Sequence, residues 1–386
     1  MRSRKSQDME NETQPAPGAL ELLFRVNGFI SQNGAGADAD EDFNRVALAL
    51  FTFQFEGVPI YQRLCESRGI KPGSIGHWSQ IPVLPAAAFK EHIVSSLGEN
   101  ERTRVFHSSG TTEHVPSRHF HSAESLSIYE ASMLPWFQRH FLADHPDFGP
   151  RGAVFVFLTP NPTLAPHSSL VYMFQKILEE YGGAHSFYAG TCLNATGAWR
   201  LEFDLIDATM RRSIADNRPV AVLGTAFSFV HWLDYLADNK IRLRLPAGSR
   251  IMETGGYKGR SRSVAKPELR RLMTKFLAVP ESHIITEYGM SELSSQAYDG
   301  VVGQTGPARG TFHFPPWVRT QIISPETGTV AAAGETGLLR IFDPANIRSV
   351  MAIQTEDLAA GCGDGFELLG RLEAAEPRGC SLLAAP

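Results

Sequence analysis

The stretch Val220-Ala221-Val222-Leu223-Gly224, followed by Phe227 to Asn239 and then Arg250-Ile251-Met252-Glu253, decides the fold. Its outer pieces are short β-rich runs, and its middle is an amphipathic run of helix length. The same alternation extends both ways. Upstream, Ala153–Leu158 reads as a buried strand and Ser168–Tyr181 as a helix. Downstream, Lys266–Leu277 reads as a helix and His283–Glu287 as a strand. Strands that alternate with helices predict a layered α/β fold with largely parallel strands. From about residue 311 the texture changes again. Trp317–Ser324, a Pro-Glu-Thr-Gly turn and Gly337–Phe342 read as antiparallel strands.

The N-terminal part has another character. Residues 1 to about 18 are polar and charged, with Pro15 and Pro17. The weak segment Asn33–Asp42 joins a short apolar helix to the next element. Residues 1–40 are therefore grouped as a disordered or weakly ordered segment. Apolar residues then recur at helical spacing from Phe43 to Gly69, with a break near Gly57-Val58-Pro59. The predicted catalytic domain covers 41–371, and 372–386 form a short tail.

Composition bounds the function. With 386 residues and 43% hydrophobic residues, the chain can bury a sizeable core. A net charge of -5 gives no general pull toward nucleic acid. The basic start Met1-Arg2-Ser3-Arg4-Lys5 is followed by no apolar run, so it does not read as a signal peptide. No stretch reaches the roughly 18 apolar residues of a membrane span. These features point to the cytoplasm and to no transmembrane segment. The four cysteines, Cys65, Cys192, Cys362 and Cys380, lack metal-ligand spacing and read as free thiols.

Four motifs could carry chemistry. Ser108-Ser109-Gly110-Thr111-Thr112 offers small hydroxyls around a glycine, so N–H and O–H donors can approach anionic oxygens. An ordinary Ser/Thr-rich turn looks the same. Thr286-Glu287-Tyr288-Gly289-Met290-Ser291-Glu292 ends a β-run, where open α/β sheets bind ligands and a carboxylate can hold Mg²⁺. A solvated loop acid is the commoner fate of a single Glu. Thr355-Glu356-Asp357, followed by Gly370-Arg371, could supply an acid for ribose hydroxyls and a cation, or plain surface charge. Glu253-Thr254-Gly255-Gly256-Tyr257-Lys258-Gly259 could bring a flat ligand to the backbone, or simply turn strand into helix.

The order of these motifs resembles that of the adenylate-forming superfamily of acyl-CoA synthetases, nonribosomal adenylation domains and firefly luciferase. The likeness runs from about residue 43 to 382. Ile81-Pro82 with Phe89-Lys90, Pro116-Ser117-Arg118, Glu253 to Lys258 and the tail Leu369 to Leu382 resemble more closely the LuxE-type acyl-protein synthetases of bacterial bioluminescence. The resemblance implies the layered N-terminal α/β domain of that superfamily, with the large C-terminal lid domain absent. It implies ATP-dependent activation of a carboxylic acid, expected to be a fatty acid, with ATP and Mg²⁺ required. Ser108, Ser109, Gly110, Thr111 and Thr112 would form the phosphate loop. Gly255, Gly256 and Tyr257 would line the adenine side, and Tyr288 and Gly289 would pack near adenine and the acyl carbonyl. Glu292 would bind Mg²⁺, Asp357 would hold the ribose, and Arg371 would assist.

Two departures stand out. Glu113-His114 follow the phosphate loop, and Arg118 stands where a cation is expected. Only 15 residues follow Arg371, where larger relatives carry a lid with an assisting Lys. Lys258 is the candidate substitute. In LuxE-type enzymes the acyl acceptor is the protein's own C-terminal cysteine, and Cys380, beside Arg378 and Gly379, fits that place. Cys362 is the competing thiol. The implied partner is an acceptor protein such as a reductase, or a carrier protein. An acid–thiol ligase using coenzyme A and an inactive scaffold are the rival readings.

Overall fold

The strand Val154–Pro160 is buried at every position, which requires cover on both faces. The computed structural model that contains it describes residues 18–32, 34, 39–108, 115–144, 153–192, 199–255, 264–306 and 309–372. The helices are α1 (Ala19–Ser31), α2 (Ala39–Gly57), α3 (Pro59–Ser67), α4 (Ala88–Glu91), α5 (Ala123–Phe141), α6 (Ser169–Tyr181), α7 (Phe203–Ala215), α8 (Ala226–Asp238) and α9 (Lys266–Leu277). The strands are β1 (Leu84–Pro85), β2 (Arg104–His107), β3 (Arg118–His121), β4 (Val154–Pro160), β5 (Phe187–Cys192), β6 (Trp199–Leu201) and β7 (Val220–Thr225). They continue with β8 (Arg250–Thr254), β9 (Ile284–Tyr288), β10 (Ala297–Tyr298), β11 (Arg319–Ile323), β12 (Thr336–Phe342), β13 (Ala352–Cys362) and β14 (Gly365–Arg371).

A seven-stranded sheet in the order β10-β9-β8-β7-β4-β5-β6 forms the centre. Its five inner strands are parallel, and β10 and β6 close it as antiparallel edges. Successive side chains of a strand leave opposite faces, so each strand feeds two cores. Val154, Val156 and Leu158 pack with Met210, Trp232 and Met273 from α7, α8 and α9. Phe155 and Phe157 pack with Phe137 and Phe174 from α5 and α6. This is the expected helix-covered parallel sheet.

A second sheet, β1-β13-β12-β11 with β14 also on β13, is antiparallel apart from β1. It packs on α1, α2 and α3 through residues such as Phe43, Phe51, Tyr61 and Phe342. The buried amide of Gln54 ties α2 to this layer, donating to the Asn346 carbonyl at 2.8 Å and accepting from Met351 N at 3.0 Å. Helix α1 buries Leu22, Val26, Phe29 and Ile30 in the same core. The folded body therefore takes in residues 19–31, which the sequence reading had grouped with the weakly ordered segment. Four apolar residues at helical spacing are enough to anchor that helix.

The two sheets meet through residues 312–313. Phe312 N donates to the Phe366 carbonyl of β14 at 2.7 Å, and Tyr298 N of β10 donates to the His313 carbonyl at 3.2 Å. The C-terminal end of β9 thus faces β13 and β14. Among the described residues, no helix is long and apolar enough to cross a membrane.

Candidate active site

Three of the residues singled out from sequence touch one another at that junction. The Tyr288 hydroxyl, at the end of β9, donates to Asp357 Oδ2 at 2.8 Å. Arg371 Nε donates to Asp357 Oδ1 at 3.0 Å. Asp357 on β13 and Arg371 on β14 are paired in register, so the strand ladder itself aligns acid and guanidinium. The Tyr288 ring is set by edge contacts to Phe312, Phe314 and Phe366, with centroids 6.0, 6.0 and 5.7 Å away. Burial, and then the Asp357 charge, push the Tyr288 hydroxyl well above its ordinary pKa, so it stays a donor.

The phosphate-loop motif reaches the same place from the other side. Ser108 Oγ accepts from Ser117 N at 2.9 Å, and Ser108 N donates to the Ser117 carbonyl at 3.2 Å. These bonds pinch the loop at its base on the β2–β3 hairpin. Ser117 Oγ lies 3.4 Å from Ser291 Oγ, which donates to Glu292 Oε2 at 3.0 Å. His119 Nδ1 donates to the Ser291 carbonyl at 2.9 Å. The Glu292 segment is further held by Asn346 Nδ2, which donates to the Glu292 carbonyl at 2.9 Å. Ser109, Gly110, Thr111 and Thr112 lie outside the described residues.

The remaining predicted residues divide. Gly255 follows β8 at φ +70° in open space, a backbone conformation that favours glycine. Gly256, Tyr257 and Lys258 lie outside the described residues, as does Cys380. Arg118 opens β3 opposite His107. Cys362 is exposed at the end of β13, and the Thr311 hydroxyl donates to its sulfur at 3.6 Å.

Two acids beside the site have internal partners. Glu253 accepts from Thr286 Oγ1 at 2.7 Å, and Thr286 Oγ1 accepts from Arg270, which pairs with Asp299. Glu287 is buried and accepts from the Thr254 hydroxyl. Burial pushes its carboxyl up to about 7. Gly289 makes room for it, because a Cβ there would lie 2.4 Å from Glu287 Oε1. The sequence reading gave Glu287 and His119 no role. The one available signal was that a glycine directly after Tyr288 frees space for a neighbouring side chain.

The family model described as acyl-protein synthetase, LuxE, matches residues 181–385, just over half of the chain. The chain belongs to the LuxE acyl-protein synthetase family. No curated protein matches it. Solved structures share the fold of this LuxE family member. One is 2-hydroxyisobutyryl-CoA ligase in the postadenylation state with 2-HIB-AMP. Its TM-score is 0.60 at 13% identity, covering 87% of this chain and 68% of that one. The same enzyme in the thioesterification state with 2-HIB-AMP and CoA gives 0.58 at 12% identity, covering 93% and 69%. These likenesses show a fold shared with that ligase.

Proposed function

We propose that this protein activates a carboxylic acid with ATP to an acyl-adenylate and then passes the acyl group to a cysteine thiol. The observation that carries the reading is the convergence of four separated segments. Tyr288, Asp357 and Arg371 form one hydrogen-bonded chain, and Ser108 and Ser117 connect through Ser291 to Glu292.

The first half-reaction joins a carboxylate oxygen to the α-phosphorus and releases pyrophosphate. Such a step depends on positioning and on charge neutralisation. In this reading Asp357 accepts from the ribose hydroxyls, with Arg371 holding the carboxylate in place. The Tyr288 ring and Gly255 flank the base. Ser108 and its loop supply donors to phosphate, with Arg118 as a cation nearby.

The residues present fit Mg²⁺. Glu292 is buried, and among the described residues its carboxylate meets a serine hydroxyl and no cation. Among the described residues no cluster of three or more metal-ligating side chains exists. That suits an ion that takes one or two carboxylates and completes its shell with phosphate oxygens and water. When bound, such an ion would neutralise phosphate charge.

For the second half-reaction, Cys380 is the proposed acceptor. It lies nine residues beyond Arg371. An extended chain of nine residues reaches at most roughly 30 Å from Arg371. The acid is proposed to be a fatty acid and the onward acceptor a reductase or carrier protein. Coenzyme A, bound by the solved relative, is the alternative thiol. Incubation with ATP and radiolabelled acids tests the reading. Hydroxylamine-labile label on the protein supports it. Label appearing only on added coenzyme A would replace the acceptor, and no ATP-dependent label anywhere would refute the activity.

A further inference from the structure

Beside the point where β14 ends, the surface opens into an apolar groove. Ile60 and Leu64 of α3, Leu84 and Pro85 of β1, and Ala87 and Ala88 where α4 begins line a space of about 390 Å³. Arg63 and Glu91, both exposed, add one charge of each sign to it. None of these residues has a part in the chemistry above.

The sheet leads the chain to this groove. Strand β12 covers one edge of β13, and β14 and β1 share the other, running toward each other along it. Just past β14, Leu372 N donates to the Glu356 carbonyl at 2.9 Å. Just past β1, Ala86 N donates to the Gln354 carbonyl at 2.9 Å. Two residues of β13, roughly 7 Å, separate these bonds. Alternate residues of a strand share a face, and so do residues paired across a ladder. Pro85, paired with Gln354, and Leu372, opposite Glu356, therefore leave the same face of the sheet. Leu372 is exposed there, with the groove directly ahead of it.

Residues 373–386 lie outside the described residues. Their large apolar side chains are Leu382 and Leu383, an adjacent pair that follows Cys380 by two residues. Glu373, Glu376 and Arg378 give the same segment both signs of charge, as the groove has. Ten residues separate Leu372 from Leu382 and span at most roughly 33 Å, so the pair can reach a groove that begins beside Leu372. The segment before Gly18 offers only Met1 and Met9 as large apolar residues.

We propose that residues 373–386 dock on the α3–α4 groove, with Leu382 and Leu383 filling it. Removal of both leucines from water drives the docking. Cys380 then stays within roughly 7 Å of the docked pair, beside the sheet edge that carries Arg371. A thiol tethered there meets an acyl-adenylate at a higher effective concentration than one on a free arm. That consequence rests on the self-acylation reading, whereas the docking itself does not.

The test is amide hydrogen exchange on the full chain, without ATP or acid. It compares the parent with a Leu382→Asp, Leu383→Asp double variant, which leaves the groove itself untouched. Residues 60–64 and 84–92 should exchange about 10-fold faster in the variant, as a surface that has lost its cover does, with the central sheet unchanged. Protection in the parent should not change on dilution. Ala87→Glu, which puts a charge into the groove from a part-exposed position, is the second variant. In both variants the rate of hydroxylamine-labile labelling should fall about 10-fold while acid-dependent pyrophosphate exchange holds. Equal protection in parent and double variant would overturn the proposal. Protection that falls on dilution would also overturn it, by assigning the groove to a second copy. A parent whose groove is protected through Leu382 and Leu383 but which takes no label keeps the docking and sinks the self-acylation reading.

Discussion

Replacing Asp357 by Ala separates a binding role from a structural one. Asp357 accepts two hydrogen bonds of unequal worth. The Arg371 side chain is 61% exposed, so water competes for that bond and its loss costs little stability. The Tyr288 hydroxyl is buried, and without Asp357 it keeps only the weak Met290 sulfur acceptor at 3.6 Å, a loss of roughly 1–3 kcal/mol. The variant should therefore unfold at lower urea by about that free energy. If Asp357 also holds the ribose, the KM for ATP in acid-dependent pyrophosphate exchange should rise about 10- to 100-fold, since a hydrogen bond to a charged group contributes roughly 1.5–3 kcal/mol. Adding Tyr288→Phe removes the poorly satisfied hydroxyl. The double variant should regain most of the stability and none of the ATP affinity. An unchanged KM for ATP in Asp357→Ala would refute the ribose assignment, and stability and KM recovering together would make the effect purely structural.

Glu292→Gln should keep the fold and lower adenylation about 100-fold or more, as loss of a metal-binding charge does, and near-normal exchange would remove Glu292 from the site. Cys380→Ser should still exchange pyrophosphate but fail to accumulate hydroxylamine-labile label, whereas Cys362→Ser should label like the parent. Label surviving in Cys380→Ser would end the case for that thiol. Glu287 gives a pH test. Its carboxyl sits at about 7 in the fold against an ordinary 4.5, so folding stability is full below about 4.5 and falls as pH rises through about 7. The loss at pH 8 is on the order of 3 kcal/mol. Glu287→Gln should therefore stabilise the protein at pH 8 and gain little at pH 4.5, and a gain equal at both pH values would contradict the buried-acid account.

The parallel sheet was legible because its β-rich runs are short, apolar on both faces and separated by helix-length segments. The run read at Val220–Gly224 is strand Val220–Thr225, and Lys266–Leu277 is a helix with the same bounds. Helix α5 was not read. Pro135 sits in its interior and serines punctuate its core face, so Ser125 and Ser132 are buried beside Tyr129 and Phe137. Propensity argues against a helix there, and tertiary packing overrides it. At the site, the order of motifs announced Tyr288, Asp357 and Arg371. Their contact needed the β13–β14 register and the Phe312–Phe366 bridge, which join segments far apart in sequence. The His107–His167 stack carries no linear signal, and Glu287 only that of Gly289, because burial and ring stacking arise only once β8, β9 and the loop before α6 are in place.

Acid-dependent adenylation is tested most directly by ATP–pyrophosphate exchange measured with the full chain across a panel of carboxylic acids, from short hydroxy acids to long fatty acids, with Mg²⁺ present. It predicts exchange that needs an acid, reaches its highest rate with one acid class and collapses in Glu292→Gln. Exchange that no acid stimulates, with pyrophosphate and ATP both in excess, would contradict it.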